Sequence, residues 1–239
     1  MMNNKEQFER SELLVGSDAV NKLKNATVAV FGLGGVGGYA VEALARGGVG
    51  HLVLVDNDTV SVSNINRQII ATYNTVNEYK TQAWRERIFA INPNCIVDTY
   101  NVFVTQDNIS DFDFANWNYC IDAVDTVSAK LGIAQAAYKA STPVISAMGA
   151  GNKLSAARFV VTDIYSTSGD ALARVMRREL KKLGLPSLKV VYSTEAATKP
   201  QQDCEKEELR RPTTGSMSYV PGVAGLLLAG EVIRAIAEI

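Results

Sequence analysis

The sequence predicts an α/β protein with a Rossmann-like, mainly parallel twisted sheet and helices on both faces. Short strands alternate with helical segments along the chain up to about residue 150, which is the order of elements in doubly wound folds. The strands are continuous apolar runs, such as LeuValLeuVal at 52–55, and such runs are typical of a sheet covered on both faces. After residue 150 the pattern loosens into a C-terminal extension of further strands and a docked helix.

Periodicity and breaking residues predict each element in turn. An N-terminal helical segment is expected over residues 6–25, interrupted at Gly16-Ser17, and its apolar set is Phe8, Leu13, Leu14, Ala19, Val20 and Leu23. Strands are expected over 27–31, 51–56, 95–100, 119–123, 143–147, 158–162 and 188–193. Helices are expected after the glycine-rich turn as far as Gly47-Gly48, and over 78–91, 128–140 and 170–183. The second of these helices ends before Pro93, in keeping with the restriction on pre-proline residues.

No repeat and no linker divides the 239 residues, so a single domain over 1–239 is expected. Residues 197–217 have the polar, charged and Pro/Gly content of a mobile crossover loop. The apolar segment from Val220 to Ile239 is interrupted by Glu231 and Arg234. It is too short and too charged to span a bilayer, and it is expected to be a docked C-terminal helix.

Composition indicates a cytoplasmic protein without a membrane partner. The net charge of −1 and the 47% hydrophobic content are ordinary for a globular chain. The three cysteines are widely spaced and form no CxxC pair, which argues against a disulfide framework or a zinc knuckle and suits a reducing compartment. The N-terminus lacks the apolar core of a signal peptide.

The most informative motif is a glycine-rich turn, GlyLeuGlyGlyValGly at 32–37, between a predicted strand and a predicted helix. Gly32, Gly34 and Gly37 fit the dinucleotide fingerprint, and Asp56 follows Gly37 by 19 residues, the spacing of a ribose contact. Glycines let backbone amides approach phosphates at the start of a helix. Taken alone, the motif suggests an NAD-linked oxidoreductase.

The residues that follow favour ATP instead. Arg67 and Lys80 offer two cations to a triphosphate, and Asn64 lies three residues before Arg67, on the same face of a helical turn. Asp122 and Asp125 flank the end of a strand, where ligands gather in open α/β sheets. A carboxylate there could hold a magnesium ion that bridges phosphates. Asp125 could also be a helix N-cap, and the two roles are compatible.

In these motifs the sequence resembles the adenylating superfamily related to ubiquitin-activating enzymes. The resemblance implies that Asp56 binds the ATP ribose, that Asn64, Arg67 and Lys80 contact phosphates, and that Asp125 coordinates Mg²⁺. It further implies a homodimer in which an N-terminal arginine, here Arg10, reaches the partner's nucleotide. The expected nucleotide-binding set is Gly32, Gly34, Gly35, Gly37, Asp56, Asp58, Asn64, Arg67 and Lys80, and the expected catalytic set is Arg67, Lys80, Asp125 and Arg10.

Within the superfamily the chain resembles the branch of tRNA threonylcarbamoyladenosine dehydratases. The paired CxxC motifs of many sulfur-carrier activators are missing, and segments such as TyrSerThrGluAla at 192–196 and ThrGlySerMetSerTyrValPro at 214–221 are similar to that branch. The resemblance implies that the enzyme adenylates the threonylcarbamoyl carboxylate next to the anticodon, after which ring closure expels AMP, with a sulfur-relay protein as a possible partner. Alternatives are adenylation of the C-terminal glycine of a ubiquitin-like sulfur carrier, and an adenylate-binding module without turnover.

Several residues have competing interpretations. Cys204 lies in the predicted mobile loop among acidic residues, which would raise the pKa of its thiol and argue against a nucleophile. Cys95 and Cys120 lie in apolar strands and are expected in the core, and His51 at the start of a strand is expected to be structural. The basic helix 170–183 is interpreted equally well as a solvated face or as a phosphate-contacting face for tRNA.

Overall fold

The computed structural model of the chain describes residues 4–201 and 214–239. Its strands are β1 (Thr27–Phe31), β2 (His51–Val55), β3 (Ile96–Tyr100), β4 (Tyr119–Asp122), β5 (Val144–Ala147), β6 (Phe159–Asp163) and β7 (Lys189–Ser193). They form one sheet in the order β3-β2-β1-β4-β5-β7-β6. Neighbouring strands are parallel except for the antiparallel pair β6 and β7. The predicted mainly parallel sheet is confirmed.

Helices cover both faces of this sheet. They are α1 (Asn4–Gln7), α2 (Glu9–Val15), α3 (Ser17–Lys24), α4 (Gly37–Arg46), α5 (Lys80–Ile91), α6 (Val127–Ala140), α7 (Ala171–Lys182) and α8 (Val220–Ala237). The two faces of β1 show the layering. Val28 and Val30 belong to the core beneath α4, α5 and α8, whereas Ala29 and Phe31 belong to the core beneath α6. Every residue of β1 after Thr27 is therefore buried, which explains the continuous apolar run in its sequence.

The edge strand β3 departs from that rule. Val97 is buried, but Ile96 is 61% exposed and Asp98 is exposed as well. β3 pairs only with β2, so it lies at the margin of the covering helices. The sequence pattern there, IleValAspThrTyr, already alternates in polarity.

The N-terminal segment divides as predicted at Gly16, which has a positive φ of 85° and separates α2 from α3. Phe8 and Leu23 are buried in the core. The expectation that Leu13 and Leu14 share that apolar face is wrong, because these side chains are 82% and 87% exposed. The helical periodicity does not continue across the left-handed glycine, so residues on its two sides do not share one face.

The predicted mobile loop at 197–217 lies mostly outside the described residues. Its ends are anchored to the turn after β5. The backbone N–H of Asn152 donates to the Gly215 carbonyl at 2.8 Å, and the Asn152 side-chain oxygen accepts from the Gly215 N–H at 2.8 Å. Thr198 donates to the Asn152 carbonyl at 2.7 Å. One asparagine therefore holds both ends of the loop.

The C-terminal helix α8 is docked on the body of the protein. The expectation that this segment is too short and too charged to span a bilayer is wrong, because its 18 residues and mean hydropathy of 1.6 would by themselves allow a span. It is nevertheless a docked helix, since half of the segment is buried inside the protein. Val220, Ala224, Leu228 and Val232 belong to the core that α8 shares with α4. Gly225 permits the close approach, since a Cβ there would lie 2.1 Å from the Val36 carbonyl oxygen.

Two glycines of α8 provide a matched test of this docking. Gly225→Ala should lower the free energy of unfolding by about 1–3 kcal/mol because the added methyl overpacks the contact with α4. Gly230→Ala should raise it by up to about 1 kcal/mol, because Gly230 is exposed and a Cβ there has nothing within 4 Å. Urea denaturation followed by circular dichroism measures both values. Equal effects at the two positions would contradict the docking of α8 on α4.

Candidate functional site

The sheet places a crevice at the carboxyl ends of its central strands. The chain leaves β1 in one direction toward β2 and β3 and returns on the other side through β4 and β5, so β1 and β4 flank a topological switch point. Ligands bind in open α/β sheets outside the strand ends at such a point. A cavity of about 340 Å³ lies there. Its lining includes Gly32, Gly34, Gly35, Asp56, Asp58, Asn64, Arg67, Gln68, Lys80, Val102, Phe103, Val104, Ala123, Val124 and Asp125.

A larger cavity, of about 1100 Å³, lies at the opposite edge of the sheet. Its lining includes residues that precede or begin strands, such as Asn118 before β4, Thr142 before β5 and Leu188 before β7. None of the predicted site residues lines it. Volume alone would select this cavity, but the position of the charged residues selects the smaller one.

The glycine-rich turn is built without room for side chains at two of its positions. Gly32 has a positive φ of 83°, and a Cβ on it would lie 2.7 Å from the Ala123 carbonyl oxygen. A Cβ on Gly37, the first residue of α4, would lie 1.8 Å from the Gly32 carbonyl oxygen. At Gly34 the nearest atom is 3.8 Å away, so packing does not demand a glycine there. The bare Gly34 instead leaves open space toward the cavity.

Asp56 follows β2 and holds the glycine turn in place. One carboxylate oxygen accepts the Leu33 N–H at 2.6 Å, and the other accepts the Asp58 N–H at 2.8 Å. Burial raises the pKa of the Asp56 carboxyl above its ordinary value, although the Lys80 ammonium and the two N–H groups oppose this effect. The side chain is 8% exposed, so it meets the cavity over a small area.

Lys80 begins α5 and is buried at the edge of the cavity. Its ammonium donates to the Asp58 carboxylate at 2.7 Å and lies 3.9 Å from Asp56. The Asp58 side chain is 59% exposed. Because Asp58 is already largely hydrated, an anionic ligand can take its place beside Lys80 without leaving the buried ammonium unpaired.

Asn64 and Arg67 approach the cavity from a short connection rather than from a full helix. Asn64 ends a single 3-10 turn (Val62–Asn64), and its side-chain oxygen accepts the Ser61 N–H at 3.1 Å. The Arg67 guanidinium donates to the Ser63 carbonyl at 2.9 Å and to the Asn66 side chain at 2.8 Å. Both residues line the cavity, as their spacing predicts, and local hydrogen bonds hold them.

The structure separates the two carboxylates at the end of β4. Asp122 is buried and is bonded to Lys130 at 3.1 Å and to Ser146 at 2.6 Å, whereas Asp125 is exposed at the cavity. The alternative that Asp125 caps α6 is wrong. The N-cap is Thr126, which makes no side-chain cap hydrogen bond, and Asp125 accepts from the Thr126 hydroxyl at 3.2 Å rather than from a backbone N–H of α6.

Part of the cavity lining consists of residues that the sequence did not predict. Val102, Phe103 and Val104 form an apolar wall after β3, and Gln68 adds an amide whose buried side-chain oxygen has no hydrogen-bond partner among the described residues. Apolar walls with a few polar groups are typical of small-molecule sites. The ValPheVal triplet lies in irregular structure, so it carried no periodic signal. Gln68 directly follows Arg67 in the sequence, and this adjacency to a predicted site residue was the signal that could have identified it.

Four other residues singled out in the sequence lie away from the cavity or outside the described residues. Cys95 and Cys120 are buried as predicted, and burial raises the pKa of Cys95 to about 11, so neither offers a thiolate near neutral pH. His51 starts β2 at the opposite edge of the sheet and bonds Asp98 at 2.8 Å. Cys204 lies outside the described residues.

Arg10 is likewise absent from the cavity of its own chain. It is exposed on α2, the helix that carries the exposed Leu13 and Leu14. The structure therefore brings together ten of the named positions, but neither Arg10 nor the buried Asp122 is among them. Nine of the ten line the cavity: Gly32, Gly34, Gly35, Asp56, Asp58, Asn64, Arg67, Lys80 and Asp125. The tenth, Gly37, ends the glycine turn beside it.

The fold and the glycine-turn cavity define a nucleotide-binding protein of the Rossmann-like class. A model of the ThiF family matches residues 8–239, so the chain belongs to the ThiF family.

Relatives within that family are similar over most of the chain. The tRNA threonylcarbamoyladenosine dehydratase of Bacillus subtilis is 40% identical over 236 residues, covering 95% of this chain and 93% of the relative. The Escherichia coli protein of the same name is 37% identical over 210 residues, covering 83% and 77%. The crystal structure of the E. coli dehydratase in complex with ATP superposes with a TM-score of 0.89 at 32% identity, covering 98% of this chain and 95% of that one.

Proposed function

We propose that this chain is an ATP-dependent tRNA-modifying enzyme. It adenylates the carboxylate of threonylcarbamoyladenosine next to the anticodon and promotes cyclisation with net loss of water. One observation carries the proposal: a ThiF-family nucleotide cavity occurs in a chain that is similar to tRNA threonylcarbamoyladenosine dehydratases over nearly its whole length.

The chemistry explains why ATP is consumed. A carboxylate is a poor electrophile, and attack of its oxygen on the α-phosphorus with departure of pyrophosphate converts it into an acyl adenylate. The neighbouring carbamoyl group then attacks the acyl carbon, releases a proton to solvent and expels AMP, which carries away the carboxylate oxygen. The second step is intramolecular and benefits from proximity, so it needs no cysteine nucleophile.

The protein's part is positioning and charge stabilisation. The glycine-turn amides, Arg67 and Lys80 would hold the phosphates, Asn64 would add an amide donor, and Asp56 would meet the ribose. Support comes from the common cavity and from the exchangeable pairing of Lys80 with the solvated Asp58. The apolar wall at 102–104 is suited to the base.

Magnesium would be held by Asp125 together with the phosphates. Within residues 4–201 and 214–239 no cluster of three or more His, Cys, Asp or Glu side chains could hold a metal by itself. Asp125 nevertheless fits the requirement, because it is exposed at the cavity and its one hydrogen bond within the described part of the chain is from the Thr126 hydroxyl. Mg²⁺ in nucleotide sites is commonly bound by one or two carboxylates and the substrate phosphates. The ion would neutralise phosphate charge when bound.

The proposal also includes a second copy of the chain and a sulfur-relay protein as partners. A homodimer is supported by the exposed Leu13 and Leu14, which form an apolar surface on α2 beside Arg10. A cytoplasmic location follows from the tRNA substrate. A sulfur-relay partner stays a prediction, as both cysteines of the described part of the chain are buried.

The reaction is tested by incubating the protein with ATP, Mg²⁺ and tRNA bearing threonylcarbamoyladenosine, followed by mild nucleoside mass spectrometry. The wild type should convert the nucleoside to a product lighter by one water. Asp125→Asn should lower kcat by about 100-fold because it removes the carboxylate that would hold Mg²⁺ on the phosphates, and Lys80→Ala should do the same because it removes a cation that would stabilise the phosphates. Asp111→Asn, which changes an exposed carboxylate outside the cavity, serves as the control. If the wild type leaves threonylcarbamoyladenosine unchanged in mass, that result would contradict the proposal.

The trans role of Arg10 is tested by subunit mixing. Arg10→Ala and Asp125→Asn should each be inactive alone, but mixed dimers would contain one site with an intact Asp125 and the partner's intact Arg10. Random reassociation of equal amounts should therefore restore about a quarter of wild-type activity. No recovery after verified subunit exchange would refute the role in trans.

The basic helix α7 offers a surface for tRNA phosphates. Glu179 pairs with Arg178 and Lys182, and these partners lower the pKa of its carboxyl. Arg177 is turned inward and bonds the Thr167 carbonyl at 2.9 Å. Arg174 and Lys181 are exposed, and neither has a carboxylate partner among the described residues.

The double variant Arg174→Ala/Lys181→Ala should weaken tRNA binding and lower the slope of log K against log salt by about 2, because two phosphate contacts are lost. The double variant Arg85→Ala/Lys139→Ala removes two exposed cations elsewhere and should leave the slope unchanged. Filter binding at several salt concentrations measures both. Equal slopes for the two double variants would favour the solvated-face interpretation of α7.

A further inference from the structure

Lys130 is a fully buried lysine in an otherwise apolar stretch of α6. Its ammonium lies 3.1 Å from an Asp122 carboxylate oxygen and 3.1 Å from the Ser146 hydroxyl. That hydroxyl donates to the same Asp122 oxygen at 2.6 Å. The three side chains form a closed network between α6, the end of β4 and β5, and the adenylation chemistry gives none of them a role.

Stability alone does not explain this network. Desolvating two charges is expensive, and apolar side chains of similar volume are often as stable or more stable than a buried ion pair. The presence of a buried ion pair therefore requires an explanation other than stability, such as fixing a local backbone geometry that apolar packing would not specify.

The geometry held here is the turn that carries Asp125. The second oxygen of Asp122 accepts the Val124 N–H at 3.2 Å, and Ala123 packs so closely on the glycine turn that a Cβ on Gly32 would lie 2.7 Å from its carbonyl oxygen. The helix that follows has no side-chain cap at Thr126. Asp122 is thus the side chain that orders the backbone just before Asp125.

We infer that Lys130, Asp122 and Ser146 are positioning residues that aim the Asp125 carboxylate at the metal and phosphates. The Lys130 ammonium compensates the negative charge of Asp122, so Asp125 is the carboxylate at the end of β4 that remains available for a cation. The inference rests on the proposed function in assigning Mg²⁺ to Asp125. Outer-shell partners of metal ligands change metal affinity or activity by about 10–100-fold when removed.

The test replaces the charged pair by apolar side chains in the double variant Lys130→Met/Asp122→Leu. Removing both charges avoids the uncompensated charge that a single substitution would bury, so the thermal midpoint should stay close to wild type. Mg²⁺ affinity is read by calorimetric titration into protein saturated with a non-hydrolysable ATP analogue, separately from turnover. We expect the Mg²⁺ Kd to rise by about 10-fold or more, with the Kd of the metal-free analogue unchanged.

Another ion pair supplies the matched control. Glu42 on α4 and Arg87 on α5 lie 2.6 Å apart on the other side of the sheet, and Glu42→Leu/Arg87→Met should leave Mg²⁺ affinity unchanged. Ser146→Ala keeps the ion pair and removes one hydrogen bond, so it should raise the Mg²⁺ Kd by a few-fold even if the double variant does not fold.

The outcomes separate the two proposals. A folded double variant with wild-type Mg²⁺ affinity, or a Ser146→Ala protein with no shift where the double variant is unfolded, would overturn the positioning role. An equal loss of affinity for the metal-free analogue would also overturn it, because that result indicates general damage to the cavity. Failure of the wild type to dehydrate the modified tRNA would instead contradict the proposed function.

Discussion

The site depends on the close approach of the glycine turn to the ends of its two neighbouring strands. The Gly32 N–H donates to the Val55 carbonyl at 2.8 Å, and the Ala123 N–H donates to the Phe31 carbonyl at 2.8 Å. The backbone after β1 is thereby tied to β2 on one side and to the turn after β4 on the other. No side chain fits between these segments at Gly32 or Gly37. The open space beside the glycine turn is the cavity, and the charged residues of the site line it.

The charges around the cavity are arranged in two classes. Some are committed to structure: Asp56 binds two backbone N–H groups, and Asp122 is neutralised by Lys130. Others have exposed or local partners that a ligand can replace, as Lys80 has in Asp58. A preorganised site needs both classes, because a cation or carboxylate acts on a ligand only if the backbone beneath it does not move.

The sequence predicted much of this arrangement. The strands around the glycine turn were placed to within one or two residues, because their apolar runs are bounded by glycines and polar residues on either side. Gly32 and Asp56 were placed at the site by the spacing of the glycine fingerprint, whereas Lys80 was placed there by its charge and by the resemblance to the adenylating superfamily. The error at Leu13 and Leu14 arose where a left-handed glycine interrupts a periodic pattern. Gln68 and the wall at 102–104 were missed, since irregular segments have no period from which a direction can be read.

The sequence by itself determined the order of the elements, the mainly parallel sheet and the presence of a glycine-rich turn between β1 and α4. These features depend on local periodicity and on the steric freedom of glycine, which act over a few residues. Only the tertiary structure decided which of Asp122 and Asp125 is free and which of the basic residues already have partners. Which side chains are paired depends on contacts between residues that are distant in the chain, such as Asp122 and Ser146, 24 residues apart. It also depends on burial, and a linear pattern contains neither kind of information. The same reason applies to Arg10, whose exposure on α2 outside the cavity of its own chain is a tertiary feature that no local pattern contains.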